Sequence, residues 1–420
     1  MSDCLTKVSA DTAASIAKTP GSEIANPPVY SALGISAFPK LFKHGAQVAL
    51  AILLCTFIVA CQAGDGDETD DGTDPIDGSS NFTLSGTVDD NGRARVSFNV
   101  PGDTTKFSVV AEISRAGQVR FTDVSDDEGN DYLFPGRDFV SLGGEPLEFL
   151  NVVNVPSRDI DPPVDASRKF SATAVATGLN SGDTITFTIN AKADTNLATG
   201  RLKVNIFYVG EVGQDASAKA AIAGAMGTFQ HIYRDAAAVA VEITEINIDG
   251  PTVVPSPFDG DSFYLSASRT ASSPAVNIFV GGDIEGASGG DLLGISGGIP
   301  GPGIPTRRSG VAISLVGGAG PDGRFSDEDL RVLGETMAHE SGHFAGLFHP
   351  VDFSGQSVDG EDPLSDTPVC SVLFDCASNT NLITNLMFAT PVSDGNGGLI
   401  PQDQLSPQQR AVVNRYAVVD

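Results

Sequence analysis

The 420-residue chain has no tryptophan, four methionines, five cysteines and five histidines. It is also poor in positive charge, with 25 Lys and Arg against 53 Asp and Glu, a formal net charge of −28 and a pI near 4.3. Binding phosphates needs a basic footprint, so nucleic acid is excluded as a partner class. The acidic balance speaks for solubility and says little about fold. Long apolar runs are missing except over residues 46–60, AQVALAILLCTFIVA. That run is too short for a comfortable membrane span and has the length of a signal-peptide core. Glycine (47) and proline (25) are plentiful, a balance that favours strands and turns over long helices. With 41% hydrophobic residues the chain can bury a real core, and its length allows two or three domains.

The apolar run follows Lys40, Lys43 and His44 and ends Ile58-Val59-Ala60-Cys61. This ending resembles a bacterial lipobox, in which the cysteine is lipidated and becomes the new N-terminus. Residues 1–60 are thus expected to be a leader, with lipidation and membrane attachment at Cys61 and export to the cell envelope or the extracellular space. The mixed stretch before the apolar core is longer than a usual n-region. Residues 61–80 are acidic, Gly-rich and nearly free of apolar side chains, a flexible tether by composition. Of the five cysteines, Cys370 and Cys376 lie six apart near the C-terminus. In an exported chain this pair reads as a disulfide, the alternative being two buried thiols.

From 81 to 195 the pattern is period-two alternation broken by turn signals, as in Phe82–Val88, Asp90-Asn91-Gly92 and Arg95–Val100. This predicts an all-β sandwich. The segment holds no His or Cys, so its expected role is positional or adhesive. From about 200 to 420 the texture is α/β. Strands are expected at Leu202–Val209, Val239–Ile243, Ala275–Val280 and Val311–Leu315, with a helix over Ala218–Asp235. A second helix should open at the acids Asp327, Glu328 and Asp329, which suit a helix N-terminus, and run through a histidine cluster. The order predicts a small mixed sheet.

The cluster reads Glu335-Thr336-Met337-Ala338-His339-Glu340-Ser341-Gly342-His343-Phe344-Ala345-Gly346-Leu347-Phe348-His349. His339 and His343, four apart, share one helix face and can reach one metal. Glu340 beside them is the residue type that takes a proton from an activated water. Gly346 can adopt positive φ, stop the helix and let His349 return as a third ligand. Three protein ligands leave a fourth position open, as in catalytic rather than structural zinc sites. A bare HExxH also fits a buried histidine pair with a solvated glutamate. Gly346 and His349 at their offsets argue against that reading.

HExxHxxGxxH resembles the metzincin zinc-peptidase signature, matched here at every fixed position. Asn385-Leu386-Met387-Phe388 is similar to the Met-turn of that family, although Met387 also reads as core filler. Asp366-Thr367-Pro368, the Cys370/Cys376 pair and Leu405–Arg410 resemble the pappalysin branch. The resemblance implies a zinc endopeptidase acting on peptides or proteins. It also implies that Gly294–Gly301 is an edge strand to which an extended substrate adds. Several metzincins place a Tyr two residues after the Met; Ala389 stands there. Asp359, Glu361, Asp362 and Asp366 offer oxygen ligands for calcium and read equally as a solvated acidic loop. The competing function is a non-catalytic surface lipoprotein with an adhesive sandwich and structural zinc. Glu340 weighs against it, because a structural site needs no carboxylate base. Substrate preference and oligomeric state are not legible in the sequence.

Overall fold

The computed structural model describes residues 79–133, 146–194, 196–286, 292–319, 323–354 and 357–420. The leader, Cys61 and nearly all of the acidic tether lie outside the described residues. The first strands are β1 (Ser79–Thr87), β2 (Arg93–Phe98), β3 (Lys106–Glu112), β4 (Gln118–Asp126), β5 (Leu147–Glu148), β6 (Leu150–Val155), β7 (Phe170–Ala176) and β8 (Thr184–Lys192). They form two four-stranded antiparallel sheets, ordered β1-β8-β3-β6 and β2-β7-β4-β5. The alternation has a direct cause: in β2, Ala94, Val96 and Phe98 point inward while Arg93, Arg95 and Ser97 face water. The inner faces share one core centred on Phe98, Phe107 and Phe170, whose rings meet 5.0–6.0 Å apart.

The rest of the chain runs β9 (Gly200–Val209), α1 (Ala216–Ile232), β10 (Val239–Ile248), β11 (Val253–Val254), α2 (Ser262–Ser268), β12 (Val276–Gly281), β13 (Asp283–Ile284), β14 (Gly294–Ser296) and β15 (Val311–Ser314). It continues with α3 (Leu315–Gly318), α4 (Asp327–Ala345), β16 (Val351–Ser354), β17 (Ser357–Glu361), α5 (Leu373–Ala377), α6 (Thr380–Ile383) and α7 (Pro407–Arg415). A five-stranded mixed sheet has the order β10-β9-β12-β15-β14, parallel throughout except for antiparallel β14 at the edge. Its middle strand β12 is buried along its whole length, as a parallel strand covered on both faces must be.

Helix α4 packs on α1 at short range, because a Cβ on Gly334 would lie 2.5 Å from the Ala225 carbonyl oxygen. The core beneath joins Val204, Ile206, Ile278 and Ile313 of the sheet to Phe229 of α1 and Met337 of α4. Small strand pairs β11–β13 and β16–β17 complete the chain. Among the described residues no helix is long and apolar enough to cross a membrane.

Candidate metal centre

Helix α4 begins where the acids foretell. Ser326 caps it, accepting from the Asp329 backbone N–H while the Asp329 carboxylate accepts from the Ser326 backbone N–H. It ends at Gly346, whose φ of +110° is open to glycine and strained for other residues. There the Leu347 N–H donates to the Gly342 carbonyl and the Gly346 N–H to that of His343, both at 2.9 Å. The chain reverses and brings His349 back over the helix.

His339, His343 and His349 each turn one ring nitrogen to a common point, and their ligand atoms all lie within 4.8 Å of one another. The Nε2 atoms of His339 and His343 stand 3.2 and 3.0 Å from that of His349. The Nδ1 atoms reveal the proton positions. That of His339 faces the Leu386 carbonyl oxygen at 2.7 Å, and that of His343 the Leu347 carbonyl oxygen at 2.7 Å. A carbonyl only accepts, so both Nδ1 atoms carry hydrogen. The His349 Nδ1 donates to Asp352 Oδ1 at 2.6 Å. In the neutral rings all three Nε2 atoms are therefore lone-pair acceptors pointing at one another, with no proton to share. A cation resolves this arrangement. Metal–nitrogen bonds of about 2.0–2.1 Å in a tetrahedral zinc site set the nitrogens roughly 3.3 Å apart, close to the spacing found. The donor set fits zinc in number and kind.

Electrostatics agree. Burial lowers the His339 imidazole to about 3, with His349 adding to the effect and the Leu386 carbonyl opposing it. Burial likewise holds His343 well below the ordinary range, with the neighbouring His339 and His349 reinforcing it. The rings stay neutral, the form that ligates a metal. Glu340 lies on the same helix beside the cluster, and burial pushes its carboxyl up to about 8 against the Ser296 backbone N–H. The edge strand β14 passes directly over it, since a Cβ on Gly294 would lie 2.8 Å from Glu340 Cγ.

Met387 is fully buried. A Cβ on Gly342 would meet its Sδ at 2.7 Å, so the missing side chain makes room for the sulfur. The Met387 N–H donates to Asn385 Oδ1, and Asn385 exchanges amide hydrogen bonds with Gln409 of α7. The closing helix thereby holds the turn whose Leu386 carbonyl orients His339. Cys370 and Cys376 are joined in a disulfide. Ala389 lines the cleft.

Sequence reasoning missed Asp352, although its place three residues after His349 was a usable signal. It had no means of finding the Leu347 and Leu386 carbonyls, because every residue has one. Two acids of the acidic stretch have local partners. Asp362 accepts from Thr367 Oγ1 and the Leu364 N–H, while Asp366 accepts from Ser406 Oγ and the Gln408 N–H at the start of α7. The Asp359 side chain lies outside what is described. Among the described residues the three histidines are the only group of three or more His, Cys, Asp or Glu side chains close enough to share an ion.

No known family profile and no curated protein matches the chain. Among solved structures, metalloproteinase-II from Bacteroides fragilis is similar at 11% identity and a TM-score of 0.25, over 39% of this chain and 52% of that one. The chain thus spans about half the length of that protein. A mitogen from Yersinia pseudotuberculosis is similar at 12% identity and a TM-score of 0.16, over 28% of this chain and 88% of that one. Likenesses this slight carry no argument. What stands on the geometry alone is a mixed α/β fold, rich in strands, with a three-histidine site able to hold a metal ion.

Proposed function

We propose that the chain is a zinc-dependent endopeptidase of the metzincin type, with His339, His343 and His349 as ligands and Glu340 as general base. One observation carries this reading: three proton-free Nε2 atoms converge beside the Glu340 carboxyl group under an open sheet edge. A bound zinc supplies Lewis acidity, which acidifies water and polarises a carbonyl oxygen. The chain's own groups do the rest. The free edge of β14 offers backbone N–H and C=O groups to an extended peptide. Glu340 is rotated about 100° from His339 around the helix, so it addresses the water and the scissile bond rather than the ligand point. Burial favours its neutral form, and a cation at the ligand point would favour the carboxylate, which accepts the water proton and returns it to the departing amine.

The test is metal analysis of the purified protein alongside peptide cleavage. Glu340→Ala should keep about one zinc per chain and lose nearly all cleavage. His343→Ala should lose both, because two imidazoles hold zinc poorly. A Glu340→Ala protein that cleaves as fast as wild type would refute the base assignment. Zinc bound without cleavage by the wild type would favour structural zinc.

The exported setting belongs to the same proposal. It rests on the 15-residue apolar run and its Ile-Val-Ala-Cys ending. Mass spectrometry of the membrane fraction should find an acylated N-terminus at Cys61, and a mature N-terminus elsewhere would refute it.

A further inference from the structure

Away from the metal centre, an open pocket of about 400 Å³ lies against the closing helix. Helix α7 forms one wall with Pro407, Arg410, Ala411, Asn414 and Arg415. Their spacing of i, i+3, i+4, i+7 and i+8 is that of a single helix face. The other walls are Asp159, from the loop after β6, and residues 196–198, from the connection between β8 and β9. The pocket shares no residue with the cleft beside His339 and Glu340.

Two guanidinium groups face this pocket with most of their donors unspent. Arg410 Nη2 donates to the Ala198 carbonyl at 3.1 Å, and Arg415 Nη1 to the Ala411 carbonyl at 3.2 Å. Each group carries five N–H donors. The Arg415 Nε is buried and has no hydrogen-bond partner. Among the described residues neither arginine is in an ion pair. Burial lowers the Arg415 guanidinium below its ordinary value, with Asp159 and Asp161 opposing. Asp161 is itself held by Arg158 and the Ser157 hydroxyl, so it is not free to turn toward Arg415. A partly desolvated cation without a bonded anion is costly, and an anion entering the pocket relieves that cost.

The surroundings narrow the class of anion. A guanidinium fork matches the two oxygens of a carboxylate. Two arginines against the one carboxylate of Asp159 leave a single positive charge, which suits a monoanion better than a phosphate dianion. The volume is many times the roughly 30 Å³ share of one water, so there is room beyond a bare oxyanion. Leu197, Pro407 and Ala411 supply apolar surface beside the arginines. We propose that this pocket binds a small organic carboxylate, its oxygens on Arg410 and Arg415 and its apolar body on Leu197, Pro407 and Ala411. The ligand bridges the connection between the two sheet systems and the closing helix. The proposal stands whether or not the chain cleaves peptides.

The test is calorimetry on the full chain at constant ionic strength, with chloride as the balancing ion. The probes are 4-methylpentanoate, acetate and inorganic phosphate. Each buried methylene is worth about fourfold, so 4-methylpentanoate should bind at least about tenfold more tightly than acetate. Phosphate should bind more weakly than 4-methylpentanoate. Arg410→Gln should weaken 4-methylpentanoate by about tenfold or more, the usual worth of a hydrogen bond to a charged group. Asp159→Asn removes competing negative charge and should tighten it by about twofold or more. No binding of 4-methylpentanoate, equal binding of acetate, or tighter binding of phosphate would each overturn the proposal. So would an Arg410→Gln protein that binds like the wild type. Should Arg410→Gln fail to fold, Asp159→Asn decides, because unchanged or weaker binding there contradicts a carboxylate held beside Asp159.

Discussion

Asp352 does for His349 what two backbone carbonyls do for the other ligands: it fixes the tautomer and aims Nε2. Partners of this kind typically contribute 10- to 100-fold to metal affinity. Asp352→Ala should therefore weaken zinc binding by about that factor in a chelator competition, with the fold intact; unchanged affinity would remove Asp352 from the site. The buried imidazoles also set an acid limit. Burial, reinforced by His349, holds His339 near 3 in the folded chain, below the usual 6.5, so the unfolded chain binds a proton that the folded metal-free chain refuses. The resulting stability is fully present above about pH 6.5 and falls toward pH 3, by about 1.4 kcal/mol per pH unit for this group. Glu340 and Asp362, both raised by burial, titrate with the opposite sign in this range. The check is therefore the difference in denaturant melts between chelated wild type and His339→Gln at pH 6.5 and 4.5; a difference that does not change with pH contradicts it. Asp362 has the opposite sign. Burial raises it from 3.8 to about 7, with Thr367 and the Leu364 N–H opposing, and its Oδ2 has no hydrogen-bond partner. Its charge destabilises the fold as pH rises from about 3.8 to 7. Asp362→Asn should then raise the melting temperature at pH 8, by up to roughly 4 kcal/mol of stability, and do little at pH 3.5. A destabilised variant at pH 8, rescued in the wild type by calcium, would instead revive the calcium reading.

At the scale of elements the site hangs on how α4 ends. Gly346 adopts φ +110°, and a side chain there strains the turn that returns His349. Gly346→Ala should cost about 1–2 kcal/mol and weaken zinc binding together, as measured by denaturant titration and chelator competition. A stability loss with zinc affinity untouched would mean that His349 does not depend on this turn. The Cys370–Cys376 disulfide closes a short loop next to α5. Replacing both cysteines with serine should cost about 2 kcal/mol while leaving zinc content unchanged, since the loop supplies no ligand.

For the molecule as a whole, the described residues 79–394 and 398–420 belong to one compact unit. Buried charge spans the two sheet systems. Lys106 on β3 is fully buried and donates to the Asn414 carbonyl at the end of α7 and to Asp194, both at 3.0 Å. Arg308, 1% exposed, donates to the Gly297 carbonyl just past β14 and to the Glu148 carbonyl on β5. Val110, Leu150 and Val152 of the first sheets pack against Ile304. Cutting the chain at Gly200 would strip partners from these groups and expose that apolar surface, so a fragment from Gly200 onward should aggregate or fail to fold. The intact protein should unfold in one calorimetric transition, and two resolved transitions would show the sheet systems to be independent.

The sequence alone determined the pieces whose signal is local. Helical spacing placed His339 and His343 on one face, Gly346 marked the stop, and period-two alternation marked β1, β2 and β8. Each depends on residues a few positions apart, where backbone geometry fixes the outcome. The tertiary structure decided what depends on distant partners. Whether the Nε2 atoms present lone pairs is set by the carbonyls of Leu347 and Leu386, which no residue type encodes. Whether the cleft's extra carboxylate is free or taken depends on Arg331 meeting both Glu335 and the distant Leu399 carbonyl. Whether the first sheets stand apart or brace the edge strand depends on Arg308 reaching Glu148 across 160 residues. Long-range pairing of this kind follows from packing, and packing is settled only when the whole chain has closed around its core.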